Sequence, residues 1–328
     1  MDEGEERNGN RVPADPPGAH GDQAVELAEL QLVNRAAHHL IPALLGDPAL
    51  ANARIPTTPD RDERMYLSLN EIIRAMEIKQ AAQDYRQGSH TLKPLSDFEY
   101  VQCALTTAGE TMDQILHRMA MMRAFREEYK VKDTVEQGLD MINRLTLEQP
   151  GFLLSLEYLG SSKNYLTVYD WQEFNAAGVK TYEQRRTFMA ATYYCFQCKA
   201  CEFQATRIGS SVLVECMGVT TRNFDEEFLM KLIHEMYRWY PKNQKEFFLV
   251  NSPSIVNFIF NLWRKYMTTN QKQTTHMGHQ IRGLEGNRID HLYKTPTPEI
   301  ARIRMLLLAK GMLELRYQHE RDFRFSGF

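Results

Sequence analysis

Cys195, Cys198 and Cys201 stand three residues apart, the spacing with which thiolates begin to enclose an iron–sulfur cluster. The run lacks its fourth member: Gln204 occupies that position, and no proline stands beside it. The three cysteines also fall in a strongly helical stretch, where steps of three drift ~60° around the axis, whereas cluster loops are irregular. They read first as small buried helix side chains, and Cys216 on a neighbouring strand keeps a zinc reading open. His276-x-x-His279, with His291 beyond it, has metal-ligand spacing, but no carboxylate sits at catalytic spacing on a helix, so these read as solvated loop histidines. Gly283-x-x-Gly286 is too sparse for a phosphate-cradling loop, and there is no Gly-x-Ser-x-Gly elbow. No paired-carboxylate signature is readable, although distant residues could still assemble a nucleophile. The expectation is therefore a protein with no catalytic residue to assign, no resident metal and no cofactor.

The chain that must position these groups has 328 residues and a net charge of −3, with both signs spread throughout. A soft prior of about 150 residues per domain gives one large domain or two smaller ones. The charge balance argues against nucleic acid as a partner, whose footprint would be basic. No run of 18 apolar residues is present, so no membrane-spanning helix is expected. The acidic N-terminus (Asp2, Glu3, Glu5, Glu6) is unlike a secretory signal, and five unevenly spaced cysteines do not suggest a disulfide framework. A cytoplasmic location follows as the default.

Residues 1–22, rich in Gly, Pro, Asp and Glu, read as a disordered acidic tail. Residues 23–94 read as a helical extension. One amphipathic helix covers 24–45, and a second runs from about Arg61 to Gln87 with Leu69, Ile72, Ile73 and Met76 buried; together they offer a surface for a protein partner. Residues 95–149 read as a helical subdomain. Ser96-Asp-Phe-Glu99 is a capping box, a helix follows over about 110–130, and Asp133 caps another. From 150 to 295 the pattern becomes α/β. Residues 152–158 and 164–170 read as two strands, and Thr181-Tyr-Glu-Gln184 opens a long helix to about Arg207. Residues 296–328 read as a terminal helix and a Phe/Arg tail that either docks back on the domain or touches a membrane.

The centre of the chain is 211–268. Ser211–Met217 reads as a buried strand ended by Gly218, residues 224–239 as a helix stopped at Tyr240-Pro241, and Lys245–Val250 as a second buried strand. Strand, crossover helix, strand implies parallel pairing with a right-handed crossover. The next helix, 254–267, is apolar nearly all round: Ile255, Val256, Phe258, Ile259, Phe260, Leu262, Trp263, Tyr266 and Met267. A surface helix needs one apolar stripe. This one reads either as a central core helix or as a lid over an apolar ligand.

The sequence of Glu215-x-x-Gly218, Tyr240-Pro241, then Asn251-x-Pro253 and an apolar helix resembles the CRAL-TRIO lipid-binding domain, which includes phosphatidylinositol- and tocopherol-transfer proteins. Glu215 stands where that family has Asp. Upstream, Phe125-Arg126 stands in the position of the family's Trp-Arg, while its arginine-rich first-helix run is absent, and the likeness covers about 95–295. The resemblance implies an α/β fold: a mixed, mostly parallel sheet of about five strands flanked by helices, with an N-terminal helical subdomain. It implies non-covalent binding of a lipid or other hydrophobic small molecule, phosphoinositides included, and exchange during transient contact with a membrane. A collapsed cavity on the same fold, serving an interaction protein, is the alternative.

The ligand-binding residues expected on this reading are Tyr193 and Phe196 on the long helix and Leu213, Phe248 and Val250 on strands. On the lid they are Ile255, Phe258, Ile259, Leu262, Trp263 and Met267. Lys265 would meet a headgroup phosphate, by resemblance to the family's Lys-Pro-Phe, of which Pro-Phe is missing here. Which strand parity faces the ligand is open, since a one-residue shift reverses it.

Overall fold

The structure, a computed structural model, describes residues 66–87, 90–91, 95–159, 164–236, 244–264, 275–279 and 298–325. The expected tail 1–22, the helix 24–45, the Tyr240-Pro241 stop, His291, and the lid residues Lys265 and Met267 lie outside these.

Serine and threonine start the helices, because a side-chain oxygen accepts one of the N–H groups that a first turn leaves unpaired. Ser68 caps α1 (Leu69–Asp84), Ser96 caps α2 (Asp97–Thr106), and Thr111 caps α3 (Met112–Glu128). In each, the residue three on returns a bond to the cap backbone, completing a capping box. Thr134, one residue after the expected Asp133, caps α4 (Val135–Glu148), and Thr181 caps α5 (Tyr182–Lys199) with Gln184.

Two sequence expectations for the helices are corrected. In α1, Leu69, Ile73 and Met76 are exposed, and Ala75, Ile78 and Ala82 are buried instead. The helix carries two apolar stripes, and packing against α2 selects the one with alanines, which lets the backbones approach closely. The long helix also ends at Lys199 rather than near Arg207, and a short helix α6 (Phe203–Ile208) follows. At the break, the Ala200 carbonyl accepts from Gln102 Nε2 and from Arg316 at 2.9 Å, and His319 Nδ1 lies 3.0 Å from the Cys201 carbonyl. Side chains of α2 and of the terminal helix thus supply the partners that continued helix would have supplied.

The main sheet has the order β3 (Leu153–Leu159), β4 (Asn164–Asp170), β5 (Ser210–Glu215), β6 (Gln244–Val250), β7 (Thr275–His279). A separate two-stranded ladder pairs β1 (Arg86–Gln87) with β2 (His90–Thr91). In the main sheet β3 is antiparallel to β4, and every later pair is parallel. The architecture is α/β, with a mixed and mostly parallel five-stranded sheet flanked by helices. The strands are added in chain order in one direction, so right-handed crossovers bring α5, α7 (Glu226–Met236) and α8 (Ser254–Trp263) to the same face.

The largest hydrophobic cluster lies between that face and the helices, and it also takes in α4 and α9 (Pro298–Asp322). Pro298 occupies the first position of α9, where its missing N–H costs nothing. A second cluster joins α1, α2 and α3 with Phe203, and the C-terminal Phe323 and Phe325 pack against it. The Phe323 ring meets Phe203 edge-on at 5.1 Å, so this part of the tail docks on the protein. Among the described residues, no helix is long and apolar enough to cross a membrane.

Candidate functional site

A cavity of about 160 Å³ lies between the sheet and its three crossover helices. Its floor follows from strand parity. Side chains alternate between faces, so the registered row Val212–Phe247–Thr275 and the row Tyr169–Val214–Leu249 point the same way, toward the helices. One wall is the stripe Phe188, Thr192, Phe196 and Lys199 of α5, spaced 4, 4 and 3 as one helix face requires. The opposite wall is the apolar face of α7, from Phe228 and Leu229 to Met236, and Phe260 of α8 adds to the cover. Aromatic side chains close the end near the carboxyl termini of the strands. The Phe188 ring lies 5.5 Å from Phe152, 5.8 Å from Phe174 and 5.0 Å from Phe228.

The expected ligand residues divide by where they point. Phe196 lines the cavity. Tyr193 does not: it is buried toward α3, with its ring 5.3 Å from Phe125. Leu213, Phe248 and Val250 are corrected to the opposite face of the sheet, where they cluster with Leu166 and Val168. The sequence left the parity open, because these strand stretches are continuously apolar and carry no polar alternation to mark a buried side. On α8, Ile255 and Ile259 are half-buried, and Ile255 packs against the main cluster, while Phe258 is 61 % exposed. The residues of α8 buried on the sheet are Val256 and Phe260, four apart. Leu262 and Trp263 end the helix, and their side chains lie outside the described set.

Lys199, Thr192 and the α7 face are lining residues that the sequence reading missed. Helical spacing from Phe196 would have found the first two.

Lys199 is the last residue of α5 and only 4 % exposed, at the end of the cavity opposite the aromatic group. Burial pushes its amine down to about 8, offset in part by Cys195 and Cys198. Nζ lies 6.0 Å from the centre of the Phe196 ring. The cysteines themselves behave as buried apolar groups. Burial pushes the Cys195 thiol up to about 12 and holds Cys198 well above its ordinary range. Among the described residues no group of three His, Cys, Asp or Glu side chains is disposed to hold a metal ion.

The short motifs around the strand ends have a structural explanation. Glu215 Oε1 accepts from the Met217 N–H at 2.8 Å, and Oε2 accepts from Asn251 Nδ2 at 3.0 Å, so one buried carboxylate ties the ends of β5 and β6 together. Gly218 has φ +79° and Asn251 φ +50°, conformations that Gly and Asn tolerate best. Pro253 then stands at the N-cap of α8, which has no side-chain cap there.

Residues 157–284 match the family model described as the CRAL/TRIO domain. The crystal structure of Sfh5 is similar over 68 % of this chain and 86 % of that chain, with 11 % identity and a TM-score of 0.47. Among curated proteins none matches the chain. The matched segment holds four strands of the sheet from β4 to β7, all three crossover helices, and the Glu215, Gly218, Asn251 and Pro253 positions. Over residues 157–284, the chain is therefore similar to the CRAL/TRIO domain.

Proposed function

We propose that this protein binds the apolar part of a lipid or other small hydrophobic molecule, non-covalently, between the sheet and α5, α7 and α8. The observation that carries this reading is the cavity itself, an apolar space inside the core with Lys199 as its one charged lining residue among those described. The CRAL/TRIO family binds lipids and small hydrophobic ligands. Each methylene withdrawn from water contributes about 0.8 kcal/mol, so a bound chain replaces core that the protein's own side chains leave out. No covalent step is required.

A space of about 160 Å³ is close to that of an engineered protein cavity that accepts a benzene molecule. It takes a chain segment, and a whole lipid requires α8 to move. The helix is suited to moving. Its first turn has no side-chain cap, which forgoes about 1 kcal/mol of anchoring. Its outer side carries the exposed Phe258, an apolar contact for a membrane surface during exchange. The helices over 95–149 then act as the scaffold that holds α5. The small volume also favours a second reading, an interaction protein whose cavity has largely closed.

Mass spectrometry of organic extracts from gently purified protein separates the two. One lipid class near one-to-one stoichiometry is the expected result. A folded protein with nothing bound, which also takes up no lipid from vesicles, would establish the second reading. Phe258→Ser is expected to slow uptake from vesicles several-fold while changing stability by less than about 0.5 kcal/mol.

A further inference from the structure

Lys199 is an anomaly in the cavity. Lysines are almost never fully buried unless paired, and among the described residues this one has neither a hydrogen bond nor an ion pair, only the Phe196 ring. Only 4 % of the residue is exposed, far less than a long side chain at a surface keeps. Among the described residues, the other side chains with polar atoms that line the space are Thr192, Thr275, Trp171 and Tyr169, and no carboxylate is among them. The Thr192 hydroxyl is already committed, donating to the Phe188 carbonyl at 2.7 Å. From Phe188 to Lys199 the α5 wall runs eleven residues, ~16 Å at the helical rise, with an aromatic end and a cationic end.

We propose that Lys199 receives an anionic head group, so that the cargo of this cavity is a single-chain amphiphile bearing one carboxylate or one phosphate. This rests on reading the cavity as a lipid site and adds the polarity and orientation of the ligand: the head at Lys199, the chain toward Phe188 and Phe174. An anion beside the ammonium forms a charge-assisted pair in a site lined mainly by apolar side chains. A neutral ligand of the same length leaves the ammonium buried and unpaired, the arrangement most penalised in a protein interior. The cavity therefore discriminates by head charge while its walls accept any chain that fits.

The test uses delipidated full-length protein, by equilibrium binding of radiolabelled palmitate, hexadecyl phosphate and methyl palmitate at pH 7. Wild type is expected to bind at least one anion ten-fold or more tighter than the ester, and whichever anion is tighter names the head. Lys199→Met is expected to remove the preference, the anion's affinity falling to that of the ester while the ester's does not fall. Lys199→Arg should recover part of the preference. Raising the pH to 9.5 should weaken the anions alone. Cys195, Cys198 and Tyr169, the other titratable groups around this end and the walls, are all pushed upward by burial and stay neutral. Equal affinity of wild type and Lys199→Met for all three ligands would overturn the head-group assignment and leave the cavity reading standing. Failure of all three to bind a folded protein would overturn both.

Discussion

Replacing Lys199 by methionine should stabilise the ligand-free protein, against the usual direction for a buried substitution. The amine is pushed from 10.5 down to about 8 by burial, with no counter-charge among the described residues. A shift of one unit corresponds to about 1.4 kcal/mol. At pH 7 the folded state therefore carries a penalty of about 3 kcal/mol for holding the ammonium out of water. The side chain is nearly fully buried, so solvent screening takes little from this figure. The sign follows from proton counts. Between pH 8 and 10.5 the unfolded chain binds more protons at this residue than the folded one, so wild-type stability rises with pH through that window. The penalty is fully present below pH 8 and has gone above 10.5. Methionine keeps the length and volume without the charge, so urea unfolding of Lys199→Met should exceed wild type by about 3 kcal/mol at pH 7 and by about 1.4 kcal/mol at pH 9.5. A variant no more stable than wild type at pH 7, or a gap that does not narrow as the pH rises, would refute the reasoning and show that the ammonium has a partner or reaches water.

The remaining predictions concern the frame around the cavity. Gly218→Ala places a side chain at φ +79°, with its Cβ 2.6 Å from Gln172 Oε1, and should cost about 1–3 kcal/mol in urea unfolding; an unchanged midpoint would show that the strand-end turn relaxes. Phe260→Ala removes the ring that α8 buries over the cavity and should cost about 3 kcal/mol, near the lower end for such truncations because the space is already partly open. None of the five cysteines is in a disulfide and all are buried, and burial pushes Cys195 and Cys216 up to about 12. Their reaction with an aromatic disulfide at pH 8 should therefore follow unfolding; a fast phase in the native protein would contradict the burial.

Local signals were legible in the sequence because their physics is local. A Ser or Thr with Glu or Gln three residues on caps a helix whatever surrounds it, and the boxes at Ser96 and Thr181 are both present. Alternation of strand and helix determined the parallel sheet, since a short crossover permits only one hand. The motif residues Glu215, Gly218, Asn251 and Pro253 marked the strand ends because their roles, a carboxylate tie and two left-handed turns, depend on residue type.

Only the tertiary structure decided which way the apolar residues point. Leu213 and Val214 are equally hydrophobic neighbours, and nothing in either says which one faces the helices. The choice is made by the crossover helices, which all lie on one face and so assign Val212, Val214, Phe247 and Leu249 to the cavity and Leu213, Phe248 and Val250 away from it. Helical spacing places Lys199 on the Phe196 face of the long helix, but only the structure showed that the helix stops there and that the lysine is buried. Its burial goes with the end of α5, where Gln102, Arg316 and His319 satisfy the chain just beyond, and with its place at the end of the cavity between the sheet and the crossover helices.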